Sequence, residues 1–428
     1  MVRGLVVSLV VGVLAAAAAG TSPPAVRFAL STSCGQIDDS TPVWAPGGRV
    51  IAFTRVTGSG GYSAVYRIRL DGKQLRLLSP ESHYAYGPAW SPDGSQIAYS
   101  TFDLDAVVRI VVARADGTGP RVLATFQWQR EPPATFLSWS PDGKELAYVG
   151  SNFPRSDLNV VRVAGNGTRV IAHGATQPTW SPDGRRIAYV GNTGITIVDA
   201  GGGVARVIAD GGFPAWSPDG RRIAYETRSS VGVRVIDVDG SSDHEIDPRG
   251  SMPVWSPDGR RLADFTQAPQ RSRSELHVVD LRSGRITTVS HDRSARFGAG
   301  DFQPQFAPNG KTLAFTSASL TGVPTLGGSE IRLVRSNGGN ERRLTYHCTV
   351  VEDGTGERID GTWLPDLIVG SAGRDHIYGH GGADTIRARD GVRDTISCGP
   401  GRDTVFADHI DSVARDCESV RASGRPRR

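Results

Sequence analysis

Seven residues able to ligate a metal or move a proton recur at one kind of place, just ahead of a segment that ends in an aromatic residue. They are His83, Glu131, His173, Asp210, Asp247, His291 and Asp292. Histidines drawn from several such places could converge on a metal. The same connections hold Tyr84, Tyr86, Trp128, Phe213 and Phe297, and aromatics among mixed charges suit peptide or glycan binding at least as well. No Gly-x-Ser-x-Gly elbow, His-Glu-x-x-His pair or P-loop occurs in the sequence. The seven are therefore read as a candidate ligand-binding face, with no catalytic residue assigned. A second set of acids lies nearer the C-terminus. Glu357, Asp366, Asp375, Asp384, Asp394 and Asp403 each stand two residues before an apolar residue: Ile359, Ile368, Ile377, Ile386, Ile396 and Val405, at steps of 9, 9, 9, 10 and 9. Glycines precede them, notably Gly373, Gly382 and Gly401.

The elements that would position the first set come from an internal repeat. It reads VWAPGGRVIAF at Trp44, AWSPDGSQIAY at Trp90, SWSPDGKELAY at Trp139 and TWSPDGRRIAY at Trp180. It continues as AWSPDGRRIAY at Trp216, VWSPDGRRLAD at Trp255 and QFAPNGKTLAF at Phe306. In Ser-Pro-Asp-Gly, proline presets φ at the second turn position and glycine accepts a positive φ at the fourth, so a strand ending in Trp turns sharply into the next. Alternation then places Ile97 and Tyr99 on one face and Ala98 on the other. The alanine is expected to leave room for a bulky side chain of the adjoining unit. Successive copies lie 46, 49, 41, 36, 39 and 51 residues apart, the length of a four-stranded sheet. Seven such sheets bury both faces only as a ring. The repeats resemble those of the TolB-like (WD-like) propeller family over about Thr41–His347, which implies a seven-bladed β-propeller and protein partners.

The acidic period resembles the RTX, haemolysin-type calcium-binding nonapeptide repeat over about Glu352–Phe406. The resemblance implies a small parallel β-roll in which turn carbonyls and a carboxylate meet a hard cation. Its calcium residues would be Asp366, Asp375, Asp384, Asp394 and Asp403 with Gly373, Gly382 and Gly401. Alternate repeats share a side, grouping Asp366, Asp384 and Asp403 opposite Asp375 and Asp394. No copy is a complete family repeat, and Arg374, Arg393 and Arg402 sit beside the acids, where they could neutralise them without a metal.

The chain of 428 residues carries 53 glycines and 26 prolines and shows no sustained helical periodicity, so it reads as all-β. Residues 351–420 hold 14 acids against 7 arginines, a net of −7, beneath an overall +4. The remaining positive charge is diffuse, which excludes a nucleic-acid footprint. Arg3 and the apolar run up to Ala19 read as a signal peptide over 1–20, too short for a spanning helix, so no stable membrane insertion is expected after cleavage. A leader (21–40), propeller (41–347), roll (352–420) and basic disordered tail (421–428) follow. In an oxidising compartment four cysteines suggest two disulfides among three pairings, with Cys34–Cys348 at the ring seam and Cys398–Cys417 in the roll preferred. The resulting expectation is a secreted or cell-envelope binding and scaffold protein with a protein or glycan partner and calcium. A carbohydrate-active enzyme using loop histidines, as in the propeller-built oligogalacturonate lyases, and a purely structural surface protein are the alternatives.

Overall fold

In the Ser-Pro-Asp-Gly copies, a Ser–Asp pair locks the turn before any tertiary contact is made. At the second copy the Gly94 N–H donates to the Ser91 carbonyl at 2.8 Å, and the Ser91 hydroxyl donates to Asp93 at 2.6 Å. Gly94 sits at φ +70°, the left-handed region where a side chain would be strained. The hydroxyl of Ser91 pulls the Asp93 carboxyl down to about 2, with the N–H of Ser95 adding to it. The charge is thus satisfied locally at the surface.

The computed structural model describes residues 37–57, 62–72, 74–79, 84–103, 105–127, 136–152, 155–165, 167–228, 232–266, 273–290, 299–319, 328–345, 358–361, 366–370, 373–381 and 383–422. Every regular element among them is a strand. Among the described residues, no helix is long and apolar enough to cross a membrane. The chain divides into two compact units, one covering most of 38–345 and the other including 346–428.

The first unit is a seven-bladed β-propeller. Its blades span 37–77, 84–127, 138–173, 176–209, 211–247, 250–288 and 299–343, each a four-stranded antiparallel sheet in sequence order. The first strand opens at Ile37, ahead of the expected Thr41. Asp38 accounts for part of this extension, because it accepts the Ser329 N–H of the last blade at 2.9 Å. A short strand, Arg273–Ser274, pairs in parallel with the inner strand Ala299–Phe306 and gives the seventh blade a fifth strand.

Packing between blades follows the alternation. Ala98 of the second blade lies in one apolar cluster with Trp139, Leu146 and Tyr148 of the third. Ala147 of the third packs likewise with Trp180, Ile187 and Tyr189 of the fourth. Each small residue admits the neighbour's aromatic, and buried aromatic area of this kind dominates core energetics. Indole N–H groups tie the inner strands together: Trp139 to the Ala89 carbonyl at 2.9 Å, Trp216 to Thr179 at 3.1 Å and Trp255 to Ala215 at 2.9 Å.

The same contacts close the ring. Trp44 donates to the Gln305 carbonyl at 3.0 Å, and Ile51 and Phe53 pack with Ala314, Ile331 and Leu333. A Cβ on Gly48 would lie 3.6 Å from Pro308, just as one on Gly220 would lie 3.6 Å from Pro182. The first and last blades therefore meet through the contacts used between other blades. Cys34 and Cys348 lie outside the described residues, so their pairing stays a proposal.

The second unit contains a parallel β-roll. Its two sheets stack strands at 358–360, 376–378, 395–397 and 412–413 on one side, and at 367–369, 385–388, 404–407 and 419–422 on the other. Ile359, Ile377, Ile396 and Val413 align in register, as do Ile368, Ile386, Val405 and Val420. All of these side chains except Val420, which is exposed, form or pack against the apolar centre of the roll. Cys398 and Cys417 are joined, as expected. The last strand, Ser419–Ala422, takes in two residues assigned to the disordered tail. The reason is pairing: Arg421 lies in register with Phe406, and its guanidinium sits 5.6 Å from that ring.

Candidate functional site

The repeated acids of the roll do not project outward. Asp366, Asp375, Asp384, Asp394 and Asp403 are all buried at the strand entrances. The Asp366 N–H donates to Asp384 at 2.8 Å, and the Asp384 N–H to Asp403 at 2.7 Å. On the opposite side the Asp375 N–H donates to Asp394 at 2.9 Å, and the Asp394 N–H to Asp411 at 3.0 Å. The two rows are the groups expected from alternate repeats. Each row is a ladder in which one carboxylate oxygen fixes the backbone of the coil before it.

The second oxygen of Asp394 and that of Asp403 are buried with no hydrogen-bond partner. Burial pushes the Asp394 carboxyl up to about 7, with the charges of Asp390 and Asp411 adding to the effect. Burial also raises Asp403. Arg374, Arg393 and Arg402 are exposed, and Arg393 donates to the Ile410 carbonyl rather than to a buried acid. A bare carboxylate oxygen that no donor reaches is costly. A hard divalent cation with oxygen ligands suits such groups, so the donor set fits calcium. Gly373 and Gly401 are described near the turns, whereas Gly382 lies outside the described residues.

Sequence reading missed the last coil. Asp411 with Val413 and Glu418 with Val420 repeat the acid-x-apolar signal at shortened spacing. Glu418 accepts the Asp403 N–H at 2.7 Å, so it ends one ladder as Asp411 ends the other.

Of the seven propeller residues, the three that are described, His173, Asp210 and Asp247, each bond to a different partner. His83, Glu131, His291 and Asp292 lie outside the described residues. His173 is largely exposed and bonds to Asp157 of its own blade at 2.8 Å. Asp210, also exposed, faces Arg228 of the next blade at 3.4 Å. Asp247 is completely buried and bonds to His277 of the sixth blade at 2.5 Å. It belongs to the packing between blades rather than to an open face. The reason is register: Asp247 pairs across from Val233, a core position.

Asp264 and His277 were not singled out from sequence. The signal was present in VWSPDGRRLAD, where aspartate stands at the place of an aromatic residue. Burial opposes ionisation of Asp247, but the His277 bond and the Arg249 N–H outweigh it and hold that carboxyl below the usual range. Asp264 behaves oppositely: burial, then the Asp247 charge, pushes it well above that range.

In five blades the first strand shifts register just before its proline-containing end. Thr41, Gln177, Phe213, Met252 and Gln303 have φ between +50° and +57°. The neighbouring blade holds several of them. Gln177 accepts the Phe213 N–H at 2.6 Å, Glu226 the Met252 N–H at 3.2 Å, and Gln303 the Thr41 N–H at 3.0 Å.

Residues 71–245 match the TolB beta propeller domain family, and residues 360–392 match the RTX calcium-binding nonapeptide repeat family. An uncharacterized protein of Agrobacterium fabrum is 27% identical over 115 residues, covering 25% of this chain and 38% of its own length. The Tol-Pal system protein TolB 1 of Novosphingobium aromaticivorans is 39% identical over 54 residues, 13% of this chain and 12% of that protein. The match thus spans well under half the length of either relative. Among solved structures, the β-propeller domain of the Trilobed protease from Pyrococcus furiosus superposes with a TM-score of 0.54 at 14% identity. That match covers 73% of this chain and 96% of that one, a likeness of fold.

Proposed function

We propose that this protein is an exported, non-enzymatic binding protein, with the propeller as its recognition platform and the roll completed by calcium. The observation that carries the calcium reading is the partnerless, buried second oxygen on Asp394 and on Asp403. Calcium would be held by Asp366, Asp375, Asp384, Asp394 and Asp403 with turn carbonyls near Gly373, Gly382 and Gly401. The RTX family match over 360–392 supports it.

The reading of the propeller as a platform rests on its inner edge. Non-glycine residues in the left-handed region cost about 1–3 kcal/mol each and persist where surroundings over-determine them. Here that edge carries Thr41, Gln177, Phe213, Met252 and Gln303 on a repeating frame, so the frame is constant while the presented side chains vary. Varied polar and aromatic groups on a constant scaffold suit a protein or glycan partner at the cell envelope or outside the cell. Export is supported by the apolar run after Arg3. His83, Glu131, His173, His291, Asp210 and Asp292 stay candidate contact residues on the crossovers.

Calorimetry on the full chain tests the calcium reading. Heat on addition of calcium, weakened in the Asp394→Asn, Asp403→Asn double variant, is the expected result. No heat and no shift in melting at millimolar calcium would sink it. Pull-down from envelope and cell-wall extracts tests the platform, with enrichment of one partner by the native chain expected. Loss of that partner on substituting Phe213 and Gln177 together would place it on the inner edge.

A further inference from the structure

At one position of the repeat, the second residue after the Ile or Leu of the second strand, six blades bury an aromatic side chain. These are Phe53, Tyr99, Tyr148, Tyr189, Tyr225 and Phe315. The sixth blade places Asp264 there, fully buried. The apolar cluster between the fifth and sixth blades accordingly holds Trp255 and Leu262 but lacks the second aromatic found in the others.

The exchange is not isolated. The cross-strand partner of Asp264 is His277, and Asp247 reaches in from the fifth blade. All three side chains are buried, and one ligand atom from each can be chosen so that all lie within 4.8 Å of one another. His277 Nδ1 lies 2.5 Å from Asp247 Oδ2 and 4.0 Å from Asp264 Oδ1. Neither oxygen of Asp264 has a hydrogen-bond partner. A Cβ on Gly250 would come within 2.9 Å of Asp264 Oδ2, so the glycine admits the carboxylate.

A buried carboxyl with two bare oxygens, aimed at an imidazole and a second carboxylate, is an incomplete polar network. We infer that Asp247, Asp264 and His277 bind one divalent transition-metal ion of the zinc class between the fifth and sixth blades. The imidazole nitrogen favours such a metal over calcium, which prefers an all-oxygen shell. In the bound state Nδ1 turns its lone pair to the ion, and the ring proton resides on Nε2. The Nδ1–Oδ2 contact opens to about 3.3 Å, the span of two ligands on a tetrahedral zinc. The site is separate from the carboxylate ladders of the roll and independent of the calcium reading.

The test uses the full chain, stripped with a chelator and returned to saturating calcium so that the roll contributes no further sites. Titration with zinc, followed by calorimetry and metal analysis after gel filtration, should give one tightly held equivalent per chain. Asp264→Asn and Asp264→Tyr, the latter restoring the aromatic of the other blades, should each weaken zinc binding at least 100-fold. Calcium binding should stay unchanged in both. His277→Gln should do the same. A native chain that retains no zinc overturns the inference, and so does zinc binding that survives all three substitutions. Should a variant misfold by circular dichroism, the native chain decides alone: a 15N shift at His277 on zinc addition supports the site, and an unshifted His277 ring removes it.

Discussion

The propeller and the roll both repeat an acid beside a turn, yet they treat its charge in opposite ways. In the propeller, Asp93 and its counterparts Asp142, Asp183, Asp219 and Asp258 lie at the surface, where serine hydroxyls and backbone N–H groups hold their carboxyls below the usual range. In the roll, Asp394 and Asp403 are buried and raised. A propeller blade completes its polar groups from within its own hairpin and its core from the next blade. In the roll, Asp394 and Asp403 each use one carboxylate oxygen to fix the neighbouring coil, and the other is buried with no hydrogen-bond partner. The difference separates a repeat that satisfies its acid locally from one that, on the reading proposed above, is completed by calcium.

That contrast can be broken most forcefully in the propeller core. Trp216 is buried under Arg186, 5.2 Å from its ring, and bonds to the preceding blade. Trp216→Ala should cost about 3–5 kcal/mol, read as a lower denaturation midpoint for the propeller with the melting of the roll unmoved. In the roll the corresponding support is covalent. Reducing Cys398–Cys417, separated by 19 residues, should cost about 3 kcal/mol in the loop-entropy account. Thermal melting of a Cys398→Ser, Cys417→Ser double variant, which leaves the proposed Cys34–Cys348 pair untouched, checks this, and an equal shift in both units would erase the distinction.

Calcium should act on the roll alone. At a hundredfold excess over its dissociation constant, one bound ion stabilises by about 2.7 kcal/mol. Differential scanning calorimetry should show the roll transition rising and the propeller transition fixed. Gly94→Ala, at φ +70° and 3.3 Å from Pro46, should cost about 1 kcal/mol or more in the propeller, whether or not calcium is present.

A pH series sharpens the comparison, because Asp301 is a propeller acid that behaves like those of the roll. Burial pushes its carboxyl up to about 6, against an ordinary value near 3.8. Between these values the folded state binds more protons than the unfolded one, so this group's contribution falls as pH rises through about 4 to 6. Asp301→Asn should therefore raise the melting temperature at pH 7.5, with the gain shrinking toward pH 4. A pH-independent difference would show that Asp301 does not titrate in this window.

Much of this was legible in the residues. The Trp-to-aromatic spacing specified seven hairpins and the alternation of Ala98 against Tyr99, because turn chemistry and period-two burial are local. The nine-residue step carried the resemblance to the RTX repeat, which implied a parallel roll with Asp366, Asp384 and Asp403 on one side. The terminal coil was hidden because Asp411 and Glu418 fall at shortened steps. Asp264 was visible as a broken motif, but its meaning was not, since His277 and Asp247 lie 13 and 17 residues away along the chain and meet it only across strands and blades.

By itself the sequence determined the repeating units, their number and the hand-over from antiparallel blades to parallel coils, since each follows from residues close along the chain. Only the tertiary structure decided which acids are buried, which oxygens stay bare, and that the ring closes through Trp44 and Gln305, 261 residues apart. Burial and partnership depend on what the rest of the chain brings to a side chain, and no local pattern contains that.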